Sequence, residues 1–250
     1  MKSISVILSS LILVSVGLTY VVINGSAGSP QEQTPTLMQP GAITQKQKEH
    51  SKLYREYSTG LKSIREQLAS GMPGVLIKVG PPLEGVTRNP SPISLPTFLR
   101  DLACDADAVV IGRVKDKSSQ MTESEDFVFT DYEVTVDEVL KDYTADRIIP
   151  QTEIVVTRPG GRIQIGGRIV EAVDVCFKPL SEEKRYLLFL HRIPTTGAYK
   201  AVSSLGSFEL GDQKAYKLTE QTLRVDREID DVTSFLIQAR ASVASGCRNK

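Results

Sequence analysis

The chain contains no tryptophan, two histidines and three cysteines among its 250 residues. Without tryptophan, and with tyrosine and phenylalanine scattered along the sequence, an aromatic platform for carbohydrate has no support. An excess of charge of either sign is also missing, because 30 basic and 30 acidic residues give a formal net charge of zero. We therefore expect no nucleic acid partner and no electrostatic binding to an acidic membrane surface.

The sequence also lacks the motifs of the common catalytic classes: H-E-x-x-H, C-x-x-C, G-x-S-x-G and the phosphate loop. His50 falls in a stretch that we expect to be a solvated helix. His191 ends a strand that we expect to be buried, with no acid or cysteine at a recognisable spacing. Asp105 and Asp107 have the spacing of two calcium ligands, but the lack of a further nearby acid favours solvated roles at a helix end. We predict no enzymatic activity, no metal and no cofactor.

The N-terminus has the layout of a secretory signal. Lys2 precedes an apolar run over residues 4–23, and Gly25 and Ala27 suit a cleavage site, which predicts a signal peptide over residues 1–27. The run is also long enough for an uncleaved membrane anchor. Both alternatives place the rest of the chain outside the cytoplasm, either secreted or periplasmic. Contact with a membrane is expected only through residues 4–23, if they are retained.

Three segments precede the part of the chain that is rich in strands. Residues 28–41 are rich in Ser, Pro, Gln and Thr, which predicts a disordered tether. Residues 42–71 predict an amphipathic helix, and six prolines in residues 72–97 predict an extended linker. The apolar stripe of the helix consists of Tyr54, Tyr57, Leu61, Ile64 and Leu68. It could pack on its own domain, form a loose stalk or support weak self-association.

Residues 98–247 show short strands separated by turns. Gly166-Gly167 predicts a tight hairpin, and the nearly all-apolar segment Arg185–His191 predicts a strand that is buried on both faces. The apolar parity changes after Phe129, which predicts a bulge or bend near Thr130-Asp131. A C-terminal helix is expected over residues 229–243, with aspartates favourably placed in its first turn.

This pattern predicts a mainly β fold. Many short bent strands with few helices favour a closed barrel, because closure removes exposed strand edges. We predict a five-stranded OB-type barrel with a C-terminal helix, preceded by the amphipathic helix and the Pro-rich linker. A β-sandwich is the alternative.

One turn combines basic side chains with glycine. In "RPGGR", Arg158 and Arg162 flank Gly160 and Gly161, and two guanidinium groups beside a glycine-rich turn could receive a carboxylate or phosphate. A turn of this composition is more often a hairpin-like corner with solvated flanks, and the anion or partner contact is the functional alternative that we carry forward.

Four blocks of sequence resemble a known family. They are "LACDADAVVIGRV" (102–114), "YEVTVDEVLKD" (132–142), "EKRYLLFL" (183–190) and a C-terminal helix ending near Cys247. In order and approximate spacing they resemble the netrin-like domain, whose best-known members are the tissue inhibitors of metalloproteinases. The resemblance covers about residues 98–247 and implies an OB-type barrel.

The resemblance also implies a disulfide. In that family a cysteine before the first strand bonds a cysteine after the C-terminal helix, which corresponds here to Cys104 and Cys247. An exported chain with one cysteine on each side of the barrel is compatible with that bond. Cys176 would be left over as a thiol, and its mostly apolar surroundings predict that it is buried.

For function, the resemblance implies partner binding rather than catalysis. The inhibitors open with a Cys-x-Cys motif whose N-terminal amine chelates the protease zinc, and this chain has no such motif after its signal segment. We therefore expect a non-enzymatic interaction module that binds a protein through its barrel loops. The alternatives are a metalloprotease inhibitor-like protein and, third, a hydrolase that depends on His191.

Overall fold

The structure, a computed structural model, describes residues 44–57, 61, 65, 75–79, 94–174, 176–218, 229 and 231–247. Three helices lie in this part of the chain: α1 Gln45–Lys52, α2 Leu95–Asp105 and α3 Val232–Ala244. The strands are β1 Val75–Val79, β2 Ala108–Met121, β3 Val128–Asp142, β4 Glu153–Pro159, β5 Gly161–Ile165, β6 Arg168–Asp174, β7 Arg185–Arg192, β8 Tyr199–Ala201, β9 Ser207–Leu210 and β10 Ala215–Lys217. The predicted signal segment 1–27, its apolar run 4–23 and the tether 28–41 lie outside the described residues.

Five strands close into a barrel in the order β7-β2-β3-β4-β8, with β8 pairing back onto β7. Strands β4 and β8 run parallel, and every other neighbouring pair in the ring is antiparallel. This is the OB-type barrel that the strand pattern predicted, and its closure excludes the β-sandwich alternative.

The barrel interior is a packed apolar core. Inward-facing side chains alternate along each strand, as with Val134 and Val136 on β3 and Leu188 and Leu190 on β7. The side chains of Tyr132 and Tyr186 also lie in this core. A five-stranded barrel is narrow enough for side chains to fill it, so the interior is not a channel.

A second core lies outside the barrel, where α2 and α3 pack against β2, β7 and β9. Phe208 of β9 contacts Phe98 of α2, Phe235 of α3 and Phe189 of β7. Strand β7 therefore faces the barrel interior with Leu188 and this helical layer with Phe189. The prediction that β7 is buried on both faces is confirmed.

A third core explains why the bulge predicted at Thr130-Asp131 is wrong. The pairing of β3 with β2 and with β4 passes through both residues without a shift. Phe127 and Phe129 are buried on the outside of the barrel, where Tyr54 and the small β1-β6-β5 sheet cover them. Because both faces of β3 are covered here, no change of face is needed. The register shifts of this pair lie earlier along β2, between Val109/Val110, Ile111/Gly112 and Val114/Asp116.

The small sheet extends the structured region into the segment predicted as a linker. Strand β1 lies within residues 72–97 and pairs in parallel with β6. Strands β5 and β6 form the hairpin predicted at Gly166-Gly167, both of which have positive φ, at 55° and 79°. That prediction is confirmed, since two consecutive positive φ values are what a tight hairpin turn of this type requires.

Only part of the predicted helix 42–71 is described. Helix α1 ends at Lys52, after which Tyr54 N–H bonds Ser51 and Tyr57 N–H bonds Tyr54 in two tight turns. Tyr54 and Leu61 are buried against the barrel, so these two residues of the stripe pack on their own domain. Ile64 and Leu68 lie outside the described residues, and self-association stays a prediction.

A disulfide joins the two helices of the second core. Cys104 lies in the last turn of α2 and Cys247 follows α3, and their Cα atoms are 5.3 Å apart. Cys176 is buried and lies outside this bond.

Candidate functional site

Two connections of the barrel, both contacted by α1, define a candidate binding surface. In the β2–β3 connection, residues 122–127, the Thr122 hydroxyl accepts the N–H of Phe127 at 3.2 Å. In the β7–β8 turn, residues 193–198, the carbonyl of Ile193 accepts the N–H groups of Thr196 and Gly197. We call these two connections, together with Asp131 on β3, the loop face. Their internal hydrogen bonds fix the loop face before anything binds it.

Helix α1 lies on the loop face. A capping box between Thr44 and Gln47 starts the helix, and His50 and Ser51 are its buried residues. Ser51 Oγ accepts the backbone N–H of Glu123 at 2.7 Å. The Tyr54 hydroxyl then reaches Thr157 Oγ1 on β4 at 3.1 Å. Through these two contacts the chain binds its own residues 44–57 to two separate parts of the barrel.

His50 makes the central contact. Its side chain is fully buried, so the expectation of a solvated helix position is wrong; His50 is on the side of α1 that faces the barrel. Nδ1 lies 2.9 Å from both carboxylate oxygens of Asp131, and Nε2 lies 2.9 Å from Thr196 Oγ1. Because a carboxylate only accepts, Nδ1 donates its proton to Asp131, and the Thr196 hydroxyl lies within hydrogen-bond distance of Nε2 on the other side of the ring.

Aromatic rings extend the contact beyond α1. Tyr54 stacks on Phe129 with ring centroids 5.5 Å apart, and Tyr57 stacks on Phe127 at 4.7 Å. Burial raises the pKa of both tyrosine hydroxyls above the ordinary value, so both stay protonated across the physiological range. Residues 50–57 therefore contact the barrel through hydrogen bonds and also through stacked aromatic rings.

The charges of the two surfaces are opposite in sign. Residues 44–57 carry four basic and two acidic side chains, whereas residues 122–127 carry three acidic side chains and no basic one. Arg65 also forms an ion pair with Glu125 of the same connection. A basic segment thus lies on an acidic part of the loop face.

The order carboxylate, imidazole, hydroxyl in Asp131, His50 and Thr196 resembles the proton relay of a nucleophilic hydrolase. Such a site also needs N–H donors for the oxyanion. The N–H groups of Thr196 and Gly197 already donate to Ile193, so neither is available. The imidazole is fully buried. This geometry suits attachment of α1 to the barrel better than catalysis.

The structure does not bring the predicted anion contacts together. Arg158 is 1% exposed, donates from Nη1 to Ser207 Oγ at 2.9 Å and lies over the ring of Phe177. Arg162 is exposed, 3.9 Å from Glu171. The two guanidinium groups therefore do not face one solvent-filled site.

The glycines between these arginines have a packing role. A Cβ on Gly161 would lie 2.3 Å from Thr130 Oγ1 and 2.6 Å from Ser119 Oγ. Gly160 has φ +87° and its carbonyl accepts the Thr130 hydroxyl at 2.7 Å. The turn thus places β5 directly against the barrel.

Some buried polar atoms of Arg158 and of its neighbour Asp174 have no hydrogen-bond partner among the described residues. Among the described residues, Nε and Nη2 of Arg158 and Oδ2 of Asp174 make no hydrogen bond. The other carboxylate oxygen of Asp174 accepts the N–H of Cys176 at 2.7 Å. Burial raises the pKa of Asp174, and the charge of Arg158 opposes that rise. Burial likewise lowers the pKa of Arg158.

The second histidine has acidic neighbours that the sequence spacing did not indicate. His191 Nδ1 lies 3.4 Å from Asp107, and Nε2 lies 3.9 Å from Asp105. The pairing of Ala108 with Leu190 brings these aspartates beside the end of β7. Within the described residues, no group of three or more His, Cys, Asp or Glu side chains could hold a metal ion.

A shallow groove of about 340 Å³ lies between β2 and β3 on the outside of the barrel. Its lining includes Arg113, Asp137 and Glu183. Asp137 accepts a hydrogen bond from Arg185 at 3.1 Å. With part of its charge already paired, this groove is a weaker candidate than the loop face.

Sequence reasoning missed the loop face because its partners are far apart along the chain. His50 lies 81 residues from Asp131 and 146 from Thr196, so no local spacing connects them. In the part of the chain that the structure describes, no helix is long and apolar enough to span a membrane. No protein-family model matches the chain, and no curated protein matches it.

Proposed function

We propose that this protein is an exported, non-enzymatic binding module of netrin-like type that holds a protein partner on its loop face. The observation that carries the proposal is the docking of residues 44–57 on that face. A surface that fixes a polypeptide segment through His50, Ser51 and two stacked tyrosines has the contacts needed to recognise a polypeptide.

The position of the face within the fold supports this function. In OB-type barrels, ligands bind beside the second and third strands and the loops after the first and fourth strands. Here β3 supplies Asp131, and the corresponding connections are residues 122–127 and 193–198. This argument is one of fold-level analogy, and the docked segment adds evidence specific to this chain.

The disulfide supports both the location and the family. A structural disulfide between Cys104 and Cys247 persists in an oxidising compartment, as expected for an exported chain. The barrel, the C-terminal helix and this bond are also what the sequence blocks of the netrin-like domain imply.

Site-specific crosslinking tests the proposal. A photo-crosslinking amino acid replaces Ser124 in the full chain, and in a matched variant it replaces Ile237, which is 60% exposed on α3. We expect Ser124 to form a discrete protein adduct in the exporting host that excess unlabelled chain competes away, and Ile237 to form none. Equal adducts at both positions would refute a loop-face function. Stoichiometric slowing of a metalloprotease by the full chain would instead favour the inhibitor alternative.

A further inference from the structure

We infer that the partner presents a basic amphipathic helical segment to the loop face, and that residues 44–57 occupy the face until that segment replaces them. This inference rests on the proposed function and specifies its partner. It follows from three properties of the docked segment: the spacing of its contact residues, its net charge and the small number of buried residues that hold it.

The spacing defines the shape that the face accepts. His50 lies in the last turn of α1, and Tyr54 and Tyr57 follow four and seven residues after it, in the tight turns that continue the chain beyond the helix. They meet, in order, the carboxylate of Asp131, the hydroxyl of Thr157 and the ring of Phe127. A partner segment therefore needs a nitrogen donor followed by aromatic side chains at four and seven residues.

The charge of the face selects a basic segment. The acidic side chains of residues 122–127 and the carboxylate of Asp131 favour the approach of a segment with excess Lys or Arg. Residues 44–57 satisfy this requirement with two more basic than acidic side chains. An acidic helix would meet like charge at this face.

The resident segment is suited to replacement. An isolated helix of eight residues is unstable in water, so the stability of α1 comes from its contacts with the barrel. Its first four residues are not buried, and His50, Ser51 and Tyr54 are the buried members of residues 44–57. A segment held by so few buried groups belongs to the least stable part of a fold. A partner with the same contacts and more apolar area would displace it.

A peptide in trans tests the inference. The probe is a fluorescein-labelled synthetic peptide with the sequence of residues 44–57, and the receptors are the full chain and its His50→Ala variant. The substitution weakens the resident segment by removing its bonds to Asp131 and Thr196. We expect fluorescence anisotropy to show about tenfold tighter binding to the variant, because hydrogen bonds to charged groups are among the stronger ones.

Controls separate this binding from general charge attraction. A scrambled peptide of the same composition should bind both receptors weakly, and adding Asp131→Asn to the His50→Ala receptor should cancel the gain. Ser51→Ala removes one bond from the resident segment, the one in which Ser51 accepts the N–H of Glu123, and leaves the barrel unchanged. It should give a smaller gain in the same direction, which keeps the test valid if His50→Ala fails to fold, as judged by circular dichroism.

Three results would overturn the inference. The first is that the wild-type chain and both variants bind the peptide with equal affinity. The second is that the scrambled peptide binds as tightly as the native one. The third is a dimer of the full chain that the peptide dissociates. The dimer would assign the face to a second copy. If the peptide fails but the crosslink at Ser124 persists, the proposed function stands without this partner class. If the peptide binds but the crosslink is missing, the proposed function fails.

Discussion

At the scale of single residues, Arg158 is the least expected feature of the barrel. Its position on β4 has the parity of Val156, which lies in the barrel core, so the guanidinium points inward. A buried cation is strongly destabilising unless a counter-charge and hydrogen bonds compensate for lost water. Ser207 supplies one hydrogen bond, and Asp174 supplies a nearby negative charge. The two charges therefore depend on each other.

Replacing Arg158 should make the stability depend on pH. Without the arginine, the pKa of Asp174 rises further, and the folded state then binds a proton more tightly than the unfolded state. Stability consequently falls as the pH rises from the ordinary aspartate value through the raised one. For Arg158→Met we expect the free energy of urea unfolding, measured at about pH 4 and about pH 8, to fall more between these two conditions than it does in the wild type.

Two variants test the cause of that loss. Arg158→Met combined with Asp174→Asn should lose the additional pH dependence, because no buried carboxylate remains to titrate. Arg162→Met changes the same side chain at an exposed position, and we expect its stability within about 0.5 kcal/mol of the wild type at both pH values. A pH profile of Arg158→Met parallel to the wild type would contradict the coupling to Asp174.

At the scale of elements, the sequence predicted a local structure correctly where the residues that determine that structure are adjacent in the chain. Gly166-Gly167 predicted the β5–β6 hairpin because positive φ at two neighbouring positions selects one turn. The change of parity after Phe129 was a real signal, but it indicated a second covered face and not a bulge. Its cause, Tyr54 with the β1-β6-β5 sheet, lies far away in sequence. Periodicity reports burial and does not identify the covering element.

The β4–β5 turn gives a test at this scale. Gly161→Ala would place a methyl group within 2.6 Å of the Ser119 hydroxyl and closer still to that of Thr130, at a φ of +153°. We expect a loss of about 2–4 kcal/mol in the free energy of unfolding, from overpacking and backbone strain together. Gly166→Asn is the control, because the site is open and asparagine tolerates its φ of +55°. Equal losses would show that strain in the turn, and not contact with the barrel, determines the cost.

The loop face shows why the candidate site was harder to predict than the fold. Tyr54 and Tyr57 were recognisable as an apolar stripe, and packing on the chain's own domain was one of the alternatives. The role of His50 was not visible, since its partners come from two other connections of the barrel. A strand order predicts which elements are neighbours, whereas a binding surface depends on side chains from several of them.

At the scale of the whole molecule, the second core joins the two helices that flank the barrel in sequence. Helix α2 precedes the barrel and α3 follows it, and both pack on the outer side of β2 and β7. The pairing of Cys104 with Cys247 came from the family resemblance, since three cysteines alone allow three different pairs. What the residues themselves established was the closed β fold and the C-terminal helix, because the alternation of short strands limits the architectures that bury them.

Removing the disulfide should weaken the fold without changing it. The bond closes a loop with a sequence separation of 143 residues, and a cross-link over so long a loop contributes about 4–5 kcal/mol in the chain-entropy model. We expect the double variant Cys104→Ser and Cys247→Ser to keep the wild-type circular dichroism and to lose about that amount in urea unfolding. Cys176→Ala, at a buried position outside the bond, is the control and should lose less. A loss under about 1 kcal/mol in the double variant would mean that packing between α2 and α3 already restricts the unfolded chain.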